Sequence, residues 1–578
     1  MESTECTIAE YLAIRLAEIG IRHIFSVPGD FIVPFLQTID DLGVISRVGN
    51  TTEMEAGYAA DGSARICGVG AVAVTYGVGA LSVLNAIAGA YVERVPIVVV
   101  NGSPGTDKRL IDRDTGLTWH HMIVDAESRD LSIYRNVTAM AIQVNNPSRA
   151  PLDIDAALTT CMSERLPVYL EMFEDLYGSI CMRPTSPLVI APVPSVAANL
   201  TAAVAAAVGK IRSANRPLIW AGAEIRQAGV ADQLEELIAQ TAIPFTTSLA
   251  GKSVISESNQ LFRGVYDGLS SNPVTAALFN ASDCLITLGA WPTDINLLGT
   301  VGSEMLATGP WGAEPIRALR GSVHVGGSYY AQVNLGDFIT ELTTNLASYR
   351  YIGSGETLPT GVSPPTPAAD DPLTFDSFFH RMNSAIDDSH VIVADIGFSG
   401  LGSMDIPMPI RNGYVSQAVW ASIGYAVPAA IGVGYAFPGK RPIVFAGDGA
   451  IHMTIQAFST MINIGISPVI FVMNNGIYGV EQWLVDASVY APPGDPGRVT
   501  PINKLARWEF SQAPGLFGGG VGYRVETLAQ LDVALAAIAQ APNQLTIVDV
   551  RLPELSVPAC TQWKITATPA PALVGAAS

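Results

Sequence analysis

Short, unbroken apolar runs alternate along this chain with longer segments of helical period. An apolar run without polar alternation is the pattern of a strand covered on both faces. Such runs are His23–Val27, Ala71–Thr75, Pro96–Val100 and Pro167–Met172 in the first third. Pro217–Ala221, Pro244–Thr247 and Cys284–Leu288 follow in the middle, and Val391–Ala394, Ile443–Ala446, Val469–Met473 and Leu545–Val550 in the last part. Helical segments lie between them, such as Ile8–Ile19 closed by Gly20, a helix opening at Glu53, and Val83–Tyr91. This order predicts an α/β chain of open, mostly parallel sheets. A bridge containing Pro184, Pro187, Pro192 and Pro194, and the Gly/Pro/Thr-rich Gly353–Pro372, divide it. The expected domains are 1–185, 195–350 and 373–560, with 561–578 as a tail forming a surface arm or disordered.

The stretch Ile443–Trp483, IVFAGDGAIHMTIQAFSTMINIGISPVIFVMNNGIYGVEQW, is the most informative. A buried strand breaks at Gly447-Asp448-Gly449, and a helix with Met453, Phe458, Met461 and Ile462 near one face follows. Gly465 and Pro468 end it, and a second strand runs into Asn474-Asn475. A right-handed crossover puts the C-terminal ends of both strands at the same sheet edge. Asp448 and Asn475 are then neighbours in space, beside a helix N-terminus that attracts anions. One carboxylate, one amide and a helix N-terminus make a poor catalytic triad. They suit a hydrated Mg²⁺ clamped to a diphosphate, because that ion takes hard oxygen ligands. Taken alone, Gly447-Asp448-Gly449 is a turn; its spacing from the two asparagines favours the diphosphate reading.

Composition narrows the field. The chain has 578 residues, 49% hydrophobic and 15% charged, with a net charge of −20. That is enough for about three or four domains with large cores, and the charge argues against nucleic acid or an anionic membrane as partner. Two uncharged runs, Gly70–Val92 and Ala418–Gly439, are long enough to span a bilayer. Their Gly, Ala and Pro content marks them instead as buried α/β segments. The six cysteines contain no CxxC pair, which fits reduced core thiols in a cytoplasmic protein. MESTECTIAE lacks the basic, apolar start of a secretory signal.

GDG, a helix and NN resemble the metal and diphosphate motif of the thiamine-diphosphate enzymes. NNGIYGVEQW is similar to the pyruvate decarboxylase and indolepyruvate decarboxylase branch, whose glutamate stands six residues after the second Asn; here that is Glu481. GNTTEMEAGYAADGSAR and TYGVGALSVLNAIAGAYVERVP resemble the family's first domain, and GKSVISE with ASDCLITLGA its middle domain. The resemblance covers nearly the whole chain. It implies pyrimidine-binding, central and diphosphate-binding domains in that order, with thiamine diphosphate and Mg²⁺ as cofactors.

The resemblance also assigns roles. Glu53 takes the place of the glutamate bonded to the aminopyrimidine ring, which promotes removal of the C2 proton; Glu55 fits an ordinary first-turn helix glutamate as well as Glu53 does. Ile423 matches the apolar wedge that keeps the cofactor bent, and the Ala421 carbonyl accepts from the aminopyrimidine. Asp448, Asn475 and the Ile477 carbonyl match the metal ligands. Gly449 and Ala450, after Gly447, would offer N–H groups to phosphate. Gly476-Ile477 replaces the usual Asp-Gly, which a main-chain ligand tolerates. Asp30, His120, His121 and Glu481 match the proton-transfer set, suited to groups near neutral pKa.

The reaction implied is non-oxidative decarboxylation of a 2-keto acid to an aldehyde through a C2 carbanion and enamine. Carboligation of the same intermediate to an acyloin or acetohydroxy acid is the alternative, and a non-catalytic cofactor-binding scaffold a further one. In the family two chains share two sites, so a dimer is the minimum active form and a tetramer is common. Trp483 either shapes the substrate pocket or belongs to the core. The stretch Ala221–Ile225 lacks the cysteine some relatives use for substrate activation, so no cysteine-based activation is expected.

Overall fold

Each of the long apolar runs is a strand in the computed structural model, which describes residues 4–122, 129–190, 193–301, 311–312, 314–353 and 368–567. Two compact bodies form. The first contains Met1–Val193 with Tyr425–Gly439 and Thr454–Ser467; the second contains Pro194–Gly424, Lys440–Met453 and Pro468–Ser578.

In the first body, β1 (Glu5–Thr7) pairs antiparallel with β8 (Ile180–Met182). The main sheet uses β2 (His23–Ser26), β3 (Ser46–Gly49), β4 (Gly70–Thr75), β5 (Ile97–Ser103), β6 (Met140–Val144) and β7 (Val168–Phe173). Its order is β3-β2-β4-β5-β7-β6, all parallel. Strands β4, β5 and β7 are buried at every position, as expected of strands covered on both faces. The run Gly70–Val92 resolves into β4 and the helix Val78–Val92, and Ala426–Ala436 is a buried helix. Among the described residues no helix is long and apolar enough to cross a membrane.

The helix Glu53–Cys67 carries the candidate Glu53 at its first position. Thr52 caps it by accepting from Glu55 N at 3.2 Å, and Gly68 ends it at φ +89°. Its small residues let Ala426–Ala436 approach backbone to backbone. A Cβ on Gly432 would lie 1.8 Å from the Ala59 carbonyl oxygen, and one on Gly62 2.3 Å from that of Ala429. At the same crossing, buried Arg65 pairs with Asp61 at 2.6 Å and Glu93 at 2.9 Å, and the Tyr425 hydroxyl donates to Asp61 at 2.6 Å. One guanidinium set between two carboxylates, with a hydroxyl donating to one of them, offsets part of their desolvation at this crossing.

The second body holds two sheets. One has the order β11-β10-β9-β12-β13-β14-β15, from β9 (Pro217–Ala221), β10 (Phe245–Thr247), β11 (Phe262–Val265), β12 (Cys284–Leu288), β13 (Ile316–Leu319), β14 (Ser322–Val325) and β15 (Ser328–Ala331). It is parallel except for β13-β14-β15, whose short hairpins carry no long apolar run in the sequence. The other is parallel throughout, β17-β16-β18-β19-β21-β20, from β16 (His390–Ala394), β17 (Tyr414–Ser416), β18 (Arg441–Gly447), β19 (Val469–Asn474), β20 (Val521–Val525) and β21 (Thr546–Arg551). A buried ion pair ties them together. Lys252 donates to Glu257 at 2.7 Å and to the Ile406 carbonyl at 2.8 Å, while Glu257 accepts from Met408 N at 2.8 Å.

Two expectations change. The helix after Asp448 is two helices, Asp448–Thr454 and Ala457–Ile464. The segment after Cys560 begins with a packed helix, Gln562–Ala567, in which Trp563 donates to Ser270 at 3.0 Å and Ile565 is buried. The arm expected from 568 onward lies outside the described residues.

Gly432→Val should destabilise the protein by about 1–3 kcal/mol or more, because the clash is with main chain that cannot rotate away. A thermal unfolding profile unchanged from wild type would contradict the tight crossing.

Candidate active site

Strands β18 and β19 are adjacent and parallel, with Gly447 opposite Met473. Their ends therefore deliver Asp448 and Asn475 to one place. Asp448 is buried and accepts two backbone donors, Gly449 N at 2.9 Å and Gly476 N at 2.7 Å. The second bond crosses from one strand end to the other. Gly476 holds φ +78°, which favours glycine, and a Cβ there would meet the Arg507 guanidinium at 2.5 Å. Arg507 donates to the Asn475 carbonyl at 3.2 Å. Asn475 and Ile477 are both buried, and Ile477 N reaches Asn475 Oδ1 at 3.4 Å. Asn474 has separate work: its amide donates to Asp549 on β21 at 2.8 Å. Burial pushes the Asp448 carboxyl up to about 6, against the pull of the two N–H donors and Arg507. A carboxylate, an amide oxygen and a main-chain carbonyl at one turn are a hard-oxygen donor set, and Gly449 and Ala450 follow directly on the chain.

Near this turn, Ala421 holds φ +58° and Gly424 φ +89°; Ile423 is partly exposed. Asp395, at the end of β16 and fully buried, accepts from Gly424 N at 3.0 Å and fixes that loop. Glu481 is exposed on the helix Gly479–Val485. Its neighbour Gln482 is buried and accepts from Thr500 N at 2.9 Å and Asn503 Nδ2 at 3.1 Å, which pins the helix. Trp483 is core: it donates to the Thr561 carbonyl at 3.1 Å and meets Trp563 edge-on at 5.5 Å.

The first body gathers the other candidates. Asp30 follows β2, and its carboxylate lies 2.9 Å from His120 Nε2. The ligand atoms of Asp30, His120 and His121 lie within 4.8 Å of one another, all three exposed. Tyr76 and Gly77, just past β4, shape this cluster. The Tyr76 hydroxyl donates to the His120 carbonyl, and its ring faces His121 edge-on at 6.1 Å. A Cβ on Gly77 would lie 2.1 Å from the His121 carbonyl oxygen. Buried Asp130 accepts from Gly77 N at 2.6 Å, and burial pushes its carboxyl up.

Glu53 and Glu55 separate cleanly. Glu55 is fully buried and bonded to Asn50 at 3.0 Å and to the Thr51 hydroxyl, so it is used up in starting its helix. Glu53 is partly exposed, with Oε1 3.6 Å from where a Cβ on Gly79 would sit. That is an ordinary contact distance; the tighter neighbours of such a Cβ are Thr75 at 3.2 Å and Val74 at 3.3 Å.

Asp395, Asp130, Tyr76 and Arg507 escaped the sequence reading. All four act on main-chain groups, which leave no pattern in side-chain spacing. Asp395, a lone acid at the end of an apolar strand, was the one detectable signal.

This is a chain of parallel α/β sheets whose strand ends present a cofactor-type oxygen and N–H cluster. Three family models match it: the thiamine pyrophosphate enzyme N-terminal TPP binding domain over 6–126, the central domain over 204–309, and the C-terminal TPP binding domain over 395–550. The chain belongs to the thiamine pyrophosphate enzymes. It is 32% identical to an alpha-keto-acid decarboxylase of Mycolicibacterium paratuberculosis over 571 residues, covering 96% of this chain and 95% of that one. It is 33% identical to the protein of that name in Mycobacterium tuberculosis over 560 residues, with the same coverage. The corresponding Mycobacterium leprae protein is 31% identical over 567 residues, covering 96% and 94%.

The raised Asp448 carboxyl gives a pH test. Its pKa rises from 3.8 to about 6 on folding. Below 3.8 the group is neutral folded and unfolded and contributes nothing. Between the two values the unfolded chain ionises first, so stability falls as pH rises, by about 3 kcal/mol in all. Metal-free Asp448→Asn should lack this descent; identical pH profiles of Tm in mutant and wild type would contradict it.

Proposed function

We propose that this protein is a thiamine-diphosphate- and Mg²⁺-dependent enzyme that decarboxylates a 2-keto acid to an aldehyde without oxidation. The observation that carries the reading is the buried turn in which Asp448 and Asn475 meet through the Gly476 bond. Relatives bearing the name alpha-keto-acid decarboxylase along almost their whole length support the substrate class.

Thiamine diphosphate, when bound, supplies the nucleophilic carbon and the electron sink for loss of CO₂. The chain's own residues hold and serve it. Asp448, Asn475 and the Ile477 carbonyl hold Mg²⁺, and Gly449 and Ala450 N–H groups bind phosphate oxygens. Ala421 would offer its carbonyl to the aminopyrimidine, and Ile423 would supply an apolar surface against the cofactor. Glu53 shares a proton with the pyrimidine ring. With the cofactor bound, Asp30, His120 and His121 would move the proton whose loss releases aldehyde, and Glu481 would seat the substrate carboxyl and serve as proton donor. We assign the pyrimidine-binding, central and diphosphate-binding roles to 1–185, 195–350 and 373–560. Glu53 of one copy serves the metal turn of another, so the active form is at least a dimer, and a tetramer is the expected assembly. We place the protein in the cytoplasm.

Incubation with thiamine diphosphate, Mg²⁺ and a panel of 2-keto acids should yield CO₂ and aldehyde in step. CO₂ with mainly coupled product would make the protein a carboligase, and cofactor binding without turnover would overturn the enzymatic reading. Glu53→Gln should slow proton exchange at the cofactor C2 by about 10²–10⁴-fold while sparing Mg²⁺ binding. Wild-type exchange in that variant would remove Glu53 from its role.

A further inference from the structure

The β1–β8 pair takes no part in the reaction above, yet it sets two cysteines directly opposite each other. Its register is Glu5 against Met182, Cys6 against Cys181 and Thr7 against Ile180. The sulfurs lie 3.8 Å apart. Opposed residues of an antiparallel pair have Cα atoms about 4.5–5.5 Å apart, inside the roughly 4.4–6.8 Å span of disulfides. Bond formation therefore needs side-chain rotation and no strand movement. Backbone bonds on both sides lock the register: Ile8 N donates to the Ser179 carbonyl at 2.9 Å, and Arg183 N to that of Thr4 at 3.0 Å.

The surroundings differ for the two thiols. Cys6 is buried, and Cys181 is partly exposed. Cys181 lines an open concavity of about 590 Å³, with Tyr11, Arg15, Pro147 and Arg183 also in its wall. Arg15 is engaged by Asp155 at 2.9 Å and Glu18 at 2.7 Å, whereas Arg183 makes no ion pair with a carboxylate among the described residues. Its positive charge favours an anionic visitor beside Cys181.

We propose that Cys6 and Cys181 form a reversible dithiol–disulfide site, oxidised by an anionic low-molecular-weight disulfide of the glutathione type. The Cys181 thiolate attacks one sulfur of that disulfide, forming a mixed disulfide and expelling one small thiolate. The Cys6 thiolate then attacks the Cys181 sulfur, forming the Cys6–Cys181 bond and expelling the second. Two electrons pass from the protein dithiol to the small disulfide, and the two cysteine protons go to the departing thiolates through solvent. Disulfides in a reducing compartment are transient rather than permanent, and of the two sulfurs only the partly exposed Cys181 is open to attack a visiting disulfide, with buried Cys6 left to resolve it. Burial pushes both thiols up, Cys181 to about 12, with Glu10 adding to the rise at both and Arg183 opposing it at Cys6, so thiolate is scarce and exchange slow at neutral pH and should quicken as pH rises. The bond would close a loop between positions 175 apart and so constrain the unfolded chain.

The test uses the full-length reduced protein with glutathione disulfide, followed by thiol counting in denaturant and peptide mass mapping. Two of the six thiols should be lost, mapped to a Cys6–Cys181 cross-link, recovered with dithiothreitol, and accompanied by a higher Tm in the oxidised form. Cys6→Ser should stop at a glutathione adduct on Cys181, and Cys181→Ser should form no internal cross-link. The proposal is overturned if all six thiols still titrate after oxidation, or if the losses map to Cys67 or another cysteine while Cys6 and Cys181 remain free.

Discussion

The bond from Gly476 N to the Asp448 carboxylate is the contact on which the rest of this structure depends. It joins the ends of two neighbouring parallel strands, so it exists only if β18 and β19 pair in their observed register. It also holds a carboxylate in a buried place, where ionisation is costly without a partner. The backbone donors reduce that cost and leave the group raised to about 6. A buried acid kept in that condition is a weak structural element, and as a cation ligand it is well placed.

The remaining architecture presents groups rather than stabilising them. The first body spends its tightest packing, the crossing of Glu53–Cys67 with Ala426–Ala436, on the helix that begins with Glu53. The same body sets Asp30 against His120 and braces the histidine loop from Tyr76, Gly77 and Asp130. In the second body Asp395 fixes the Ala421–Gly424 loop, and Gln482 pins the helix of Glu481. In each case a buried polar residue holds a more exposed one to which we assign a task.

Much of this was legible in the sequence, for a physical reason. Strands buried on both faces have no polar alternation, so β9 and β12 coincide with their apolar runs and β4, β18 and β19 differ by a residue or two. The edge strands β3, β6, β11, β15, β17 and β20, the β1–β8 pair and the short β13 and β14 were missed because short strands at or near a sheet edge need no apolar run. The meeting of Asp448 and Asn475 followed from crossover topology. The choice of Glu53 over Glu55 came from the resemblance alone, and the structure adds that Glu55 is occupied by Asn50 and Thr51. The facing of Cys6 and Cys181 was invisible for a similar reason, since nothing in the spacing shows that the chain's first strand returns to pair with one 175 positions later.

Calorimetric titration of thiamine diphosphate into the apo protein, with and without Mg²⁺, tests the central claim most directly. Binding should require the cation, and Asp448→Ala should weaken it by more than about 100-fold while leaving the fold intact by circular dichroism. Cation-independent binding, or equal affinity in a folded Asp448→Ala protein, would contradict the role given to the buried turn.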